Sequence, residues 1–129
     1  MAIKVAGTTV VTDARLIQNA KFCDTARAVS VSGATTSIDL SADDASVLRV
    51  AMGASTTITF SNPTQGQTRV MITTNSAGSY TLAFGNTIKY AGGILPSRTT
   101  GINAVDVWTF YYDNSTYYGS LSIINASAP

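Results

Sequence analysis

Aspartates are the side chains in this chain that could carry acid–base chemistry. All seven acidic residues are Asp, and the sequence contains neither Glu nor His. Without histidine, no Ser-His-Asp or Cys-His arrangement can be assembled, and histidine metal sites are excluded as well. A pair of carboxylates, as in glycosidases, is the acid–base device that remains. Asp43 and Asp44 are neighbours in a turn, while Asp106 and Asp113 belong to one strand-like run. Neither spacing signals the geometry that a catalytic pair needs. Asp39, Asp43 and Asp44 could contribute oxygen ligands to Ca²⁺, but no loop repeats such ligands as an EF-hand does. They read as turn and strand-end acids.

Asp106 differs, because it sits between Val105 and Val107 on an otherwise apolar run. A buried carboxylate needs partners, and Arg49, Arg69 or backbone N–H groups could supply them. A structural ion pair or tether is expected there. Cys23 is the single cysteine, so an intrachain disulfide and a cysteine-based zinc site are both out of reach. Beside Phe22 it reads as a small buried or interface residue. Gly53 and Gly92-Gly93 do not follow a strand–glycine loop–helix pattern, so a phosphate cradle is not expected. These residues predict no catalytic, cofactor or metal site, and hence a protein that is not an enzyme.

The aromatic residues Tyr80, Tyr90, Trp108, Phe110, Tyr111, Tyr112, Tyr117 and Tyr118 could build a sugar-binding face, but a core or subunit interface is the more common use. Trp108, Phe110 and Tyr112 lie on a run that is apolar on both faces, Val105 to Tyr112. One face can pack the core and the other needs cover, since large exposed apolar patches are rare on monomers. Trp108, Phe110 and Tyr112, with Leu16, Ile17 and Phe22 near the N-terminus, are therefore the expected subunit contacts.

The elements that would position these residues are strands. Alternating or apolar runs occur at 27–32, 37–41, 47–52, 57–60, 68–74, 80–84, 88–90, 104–112 and 117–125. Turn residues separate them: Asp43-Asp44, Gly53, Asn62-Pro63, Gly85-Asn86, Gly92-Gly93 and Asp113-Asn114-Ser115. The stretch from Asn75 to Ser79 reads as a hairpin loop. Strands at this spacing predict an all-β fold, an antiparallel β-sandwich of jelly-roll or related type over residues 25–129. Residues 1–24 read as an N-terminal arm.

The 129 residues suffice for one core. Charged residues make up 12% of the chain, about half the usual share of roughly 25%. The net charge is +1 with no basic stripe, so nucleic-acid binding has little support. No apolar run approaches the roughly 20 residues that would span a bilayer, and Met-Ala-Ile-Lys-Val lacks a signal-peptide pattern. A protein made in the cytoplasm and packed against others is expected.

Several segments together resemble a module of tailed-bacteriophage virion proteins, notably tail-fibre and head-decoration proteins of marine and cyanobacterial phages. They are Ala-Gly-Thr-Thr-Val-Val-Thr-Asp-Ala-Arg at 6–15, Ile-Asp-Leu-Ser at 38–41, Thr-Thr-Ile-Thr-Phe-Ser-Asn-Pro at 56–63, Gly-Gln-Thr at 66–68, Ala-Gly-Gly-Ile-Leu-Pro at 91–96 and Val-Asp-Val-Trp-Thr-Phe-Tyr-Tyr-Asp at 105–113. The resemblance implies a virion structural role, a homo-oligomer and no catalytic residues. The short chain favours a capsid decoration (cement) protein, a homotrimer on the major capsid protein. The alternative is a tail-fibre or tail-appendage module presenting Tyr117 and Tyr118 to a host glycan receptor.

Overall fold

The computed structural model describes residues 26–41 and 45–126. Nine strands account for most of them: β1 (Ala26–Val31), β2 (Thr35–Asp39), β3 (Val47–Met52), β4 (Thr56–Ser61), β5 (Thr68–Asn75), β6 (Leu82–Phe84), β7 (Ile88–Lys89), β8 (Val105–Asp113) and β9 (Thr116–Ile123). The protein is all-β. The helical content of the described residues is a single 3₁₀ turn at Ala91–Gly93. The expected arm at 1–24, with Leu16, Ile17 and Phe22, lies outside the described residues, as do Asp43 and Asp44.

The strands form two sheets, one of six in the order β1-β3-β5-β8-β9-β7 and one of three in the order β2-β4-β6. From β1 to β6 the chain changes sheet after every strand. Each strand therefore lies beside the one laid down a full turn earlier, and all four of these pairings are parallel. One turn of this winding takes 21 residues from Ala26 to its partner Val47, and 23 from Val47 to Val70. A parallel pair needs a connection of a dozen residues or more. Here the strand in the opposite sheet supplies that length, where α/β proteins use a helix.

Antiparallel pairing begins only at β5–β8 and continues at β8–β9. The expected antiparallel sandwich is thus corrected for the first six strands, and a jelly roll, which is built from antiparallel Greek keys, does not describe their winding. The hairpin expected at Asn75–Ser79 is corrected too. That loop carries the chain out of the six-stranded sheet to β6, which pairs with β4. The turn between β8 and β9 is a true two-residue hairpin. Asn114 and Ser115 both have positive φ, 46° and 62°, as a type I′ turn requires.

Side-chain alternation directs one face of each sheet into a shared interior. Val31, Leu48, Val50, Met52, Met71, Trp108, Phe110 and Tyr117 come from the larger sheet, and Ile38, Ile58, Phe60 and Leu82 from the smaller. The wound end is filled mainly by aliphatic side chains. Around β8 the filling is aromatic: Phe60 and Phe84 of the smaller sheet meet Phe110 at centroid distances of 5.2 Å each, and Phe84 meets Trp108 at 5.5 Å in an edge-to-face contact. β6 is only three residues long, and past its end the Asn86 amide takes over the strand's role. Its Oδ1 accepts from Phe60 N at 2.6 Å and its Nδ2 donates to Phe60 O at 3.0 Å.

Candidate functional site

The acids the structure describes are held apart. Asp106 and Asp113 are seven positions apart on β8, about 23 Å at strand rise, well beyond any glycosidase carboxylate spacing. Asp39 ends β2, where its Oδ1 accepts from Ser41 N at 2.9 Å and Ser41 Oγ at 2.8 Å. The Ser41 hydroxyl bond, then the Ser41 backbone bond, hold its carboxyl below the ordinary range. Asp113 accepts a bond from Gln65 Nε2. No cluster of three metal-binding side chains occurs among the described residues.

Asp106 is fully buried and acts as a tether. Its Oδ2 accepts from Thr99 N at 2.7 Å and faces Arg98 Nε at 3.5 Å, while its Oδ1 accepts from Asn125 N at 2.8 Å. Arg98 continues the network. Nη1 donates to Tyr80 O at 2.6 Å and Nη2 to Asn75 Oδ1 at 2.7 Å, and Asn75 Nδ2 donates to Gly101 O at 2.8 Å. Burial lowers the Arg98 pKa, and the Asp106 charge works against that shift. The carboxylate thus fastens the long β7–β8 loop and the segment after β9 to the end of the core. The backbone donors match the sequence-based expectation. The cation is Arg98 and not Arg49 or Arg69: Arg49 lies exposed on the outer face, and Arg69 Nη2 donates to Leu40 O at 3.1 Å.

The proposed contact residues of β8 turn out to be interior. Trp108 is 1% exposed and Phe110 3%, and Tyr112 packs against the core with its ring 4.8 Å from that of Tyr117. Tyr117 is itself buried, so it cannot meet a receptor. Tyr118 can, being 44% exposed. Its neighbour on the surface is Tyr111, counted above among the aromatics that could form a sugar-binding face but not among the expected receptor contacts. A signal for it was available. A two-residue turn at Asn114-Ser115 pairs Tyr112 with Tyr117 and Tyr111 with Tyr118, so once Trp108 faces inward, Tyr111 and Tyr118 must face out.

The outer face of the larger sheet is ordered into rows by register. One row runs Ala28–Arg49–Ile72–Val107 and the next Ser30–Ala51–Thr74–Val105. Ala26–Val47–Val70–Thr109–Ser120 forms a third, and Thr68–Tyr111–Tyr118–Lys89 a fourth. The first three rows are made of small, β-branched and hydroxyl side chains, with Arg49 their one charged member. In the fourth, the Tyr111 and Tyr118 ring centroids are 6.4 Å apart and the Lys89 ammonium lies 5.8 Å from the Tyr118 centroid. Beside this row, Thr109 Oγ1 and Ser122 Oγ are 2.9 Å apart, and Ser120 Oγ is 3.4 Å from Ser122 Oγ.

Comparisons with protein-family models, with curated proteins and with solved structures each find no match.

Proposed function

We propose that this chain is a non-enzymatic structural protein of a tailed-bacteriophage particle, a decoration or cement protein that binds the head shell as a homo-oligomer. The observation that carries this reading is the outer face of the larger sheet. Its β1–β3–β5 part is a run of parallel strands in register, so its outward side chains form continuous, nearly uncharged rows. Here one face packs the core. The other presents Ala28, Val47, Ala51, Val70 and Ile72 around a single arginine. Such a face costs little to desolvate and repels a neighbouring subunit weakly. The resemblance of the quoted segments to phage virion proteins supplies the setting, and the 12% charge content suits a crowded shell. Repetition over many equivalent positions makes weak single contacts sufficient.

Ala28 and Ala51 are exposed, so lysine at both positions leaves the core untouched. The wild-type chain is expected to sediment as an oligomer and to pellet with capsids of its phage, and Ala28→Lys/Ala51→Lys to do neither while keeping its melting temperature. Unchanged assembly of the double variant would remove this face from the proposal. Quantitative mass spectrometry of particles then separates head from tail: hundreds of copies are expected for decoration, and a handful would place the chain on a tail appendage.

A further inference from the structure

We propose that the outer face of β8 and β9 is a saccharide-binding platform, with Tyr111 and Tyr118 as its floor, Lys89, Thr109, Ser120 and Ser122 as its polar rim, and a neutral, hydroxyl-rich polysaccharide as its ligand. The tyrosines are 41% and 44% exposed on a sheet that holds their backbones rigidly in register. Their ring planes differ by 38° at a 6.4 Å centroid separation, which gives a broad, shallow apolar surface instead of a slot. The C–H face of a pyranose ring fits such a surface, because it is apolar on the flat and polar around the edge. Tyrosine is built the same way, with an apolar body and a polar tip.

The rim supplies what the sugar's edge needs. Each of Thr109, Ser120 and Ser122 carries a hydroxyl that donates one hydrogen bond and accepts others. Their mutual contacts hold them as an ordered ladder. Thr109 and Ser120 lie two residues from Tyr111 and Tyr118 along their strands, about 6.8 Å away. The aromatic row and the hydroxyl row are therefore adjacent, so a chain laid along β8 and β9 meets stacking and hydrogen bonding in succession. Lys89 adds three N–H donors, steadied over the Tyr118 ring.

Charge selects for a neutral ligand. Lys89 at one flank is offset by Asp113, which lies two residues beyond Tyr111 on β8, and no second cation joins Lys89 in the rows next to the tyrosines. The platform occupies the β8–β9–β7 side of the sheet and the face proposed to be covered occupies the β1–β3–β5 side, so either reading can fail while the other stands.

The test is native affinity electrophoresis of the full chain through gels containing neutral polysaccharides (dextran, a β-1,3-glucan, galactomannan) or an acidic one (alginate). Retardation by at least one neutral polymer is expected, together with about a tenfold weakening for Tyr111→Ala and for Tyr118→Ala. Tyr111→Phe and Tyr118→Phe, which keep the rings, should hold most of the affinity. Ile102→Ser, on an exposed loop outside the platform, should change nothing. Melting curves accompany each variant, and if either alanine variant unfolds, Tyr111→Thr and Tyr118→Thr, which suit an exposed strand position but lack the ring, carry the test with the same expected weakening. Passage through every neutral gel without retardation would overturn the proposal, as would retardation indifferent to both tyrosines or confined to alginate.

Discussion

Asp106 and Tyr90 show how single buried groups set the limits of this molecule's tolerance. Asp106→Ala leaves the Arg98 guanidinium, 5% exposed, without its counter-charge, and frees the Thr99 and Asn125 amides. Removing one member of a buried pair costs about 3–5 kcal/mol, so a large drop in the urea midpoint is expected, partly recovered when Arg98→Met is added. Tyr90 carries the opposite defect. Its hydroxyl is buried with no hydrogen-bond partner among the described residues, and burial pushes its pKa up to about 12 from an ordinary value of 10. The folded state then holds this proton more tightly than the unfolded chain does. Its contribution is complete below pH 10 and is lost as pH rises towards 12. Urea melts across that window should show stability falling with pH, and falling less steeply in Tyr90→Phe. That Asp106 would need partners was legible because its run is apolar on both faces, and Asp106 shares its face with Trp108 and Phe110; the flanking valines alone would have pointed it outward. Arg98 was not legible, since it belongs to a long loop whose path is fixed only by the core it closes.

Strands were legible for a related reason. Alternation at Thr56–Ser61 and at Thr68–Asn75 states which residues face inward, and the turn residues state where each run stops. Alternation is silent on the neighbour, however. The same period of two suits a parallel winding and an antiparallel sandwich, so β1 to β6 could not be assigned their partners from pattern alone. The contact surface was misplaced by the same ambiguity. Val105 to Tyr112 is apolar on both faces, so pattern alone does not say which face needs cover, and Trp108, Phe110 and Tyr112 were assigned to the contact. In the fold Trp108, Phe110 and Tyr112 fill the interior, and Val105, Val107, Thr109 and Tyr111 face outward. Where local geometry alone decides, as in the β8–β9 turn, the sequence is specific and can even be improved. Ser115 occupies a left-handed conformation at φ 62° that costs an ordinary residue roughly 1–2 kcal/mol. Glycine relieves it at some cost in unfolded-chain entropy. Ser115→Gly is expected to stabilise by about 0.5–1 kcal/mol, read as a rise in melting temperature.

Across the whole molecule, the interior changes character from one end to the other. The wound turns are filled by Val31, Leu48, Val50, Met52, Ile38 and Ile58, and the end closed by β8 and β9 is filled by rings. Closure and winding are thus separable tasks given to different parts of the chain. The β8–β9 hairpin turns the last parallel strand's edge into an antiparallel one, and the Asp106 network pins the loops that cross that end. The winding beneath it only repeats. Val47 sits on Ala26, Val70 sits on Val47, and each turn of the larger sheet meets only the turns beside it. A length of chain equal to one such interval is therefore a unit of growth. Inserting a second copy of residues 47–69 after position 69 would keep every inward side chain inward and leave the cap unaltered, raising the stack by about 4.8 Å, one strand spacing. A cooperative melt and a matching increment in small-angle scattering length are expected for that variant. Lineages descended from such a chain could alter its height by copying whole turns, with no need to redesign the ends.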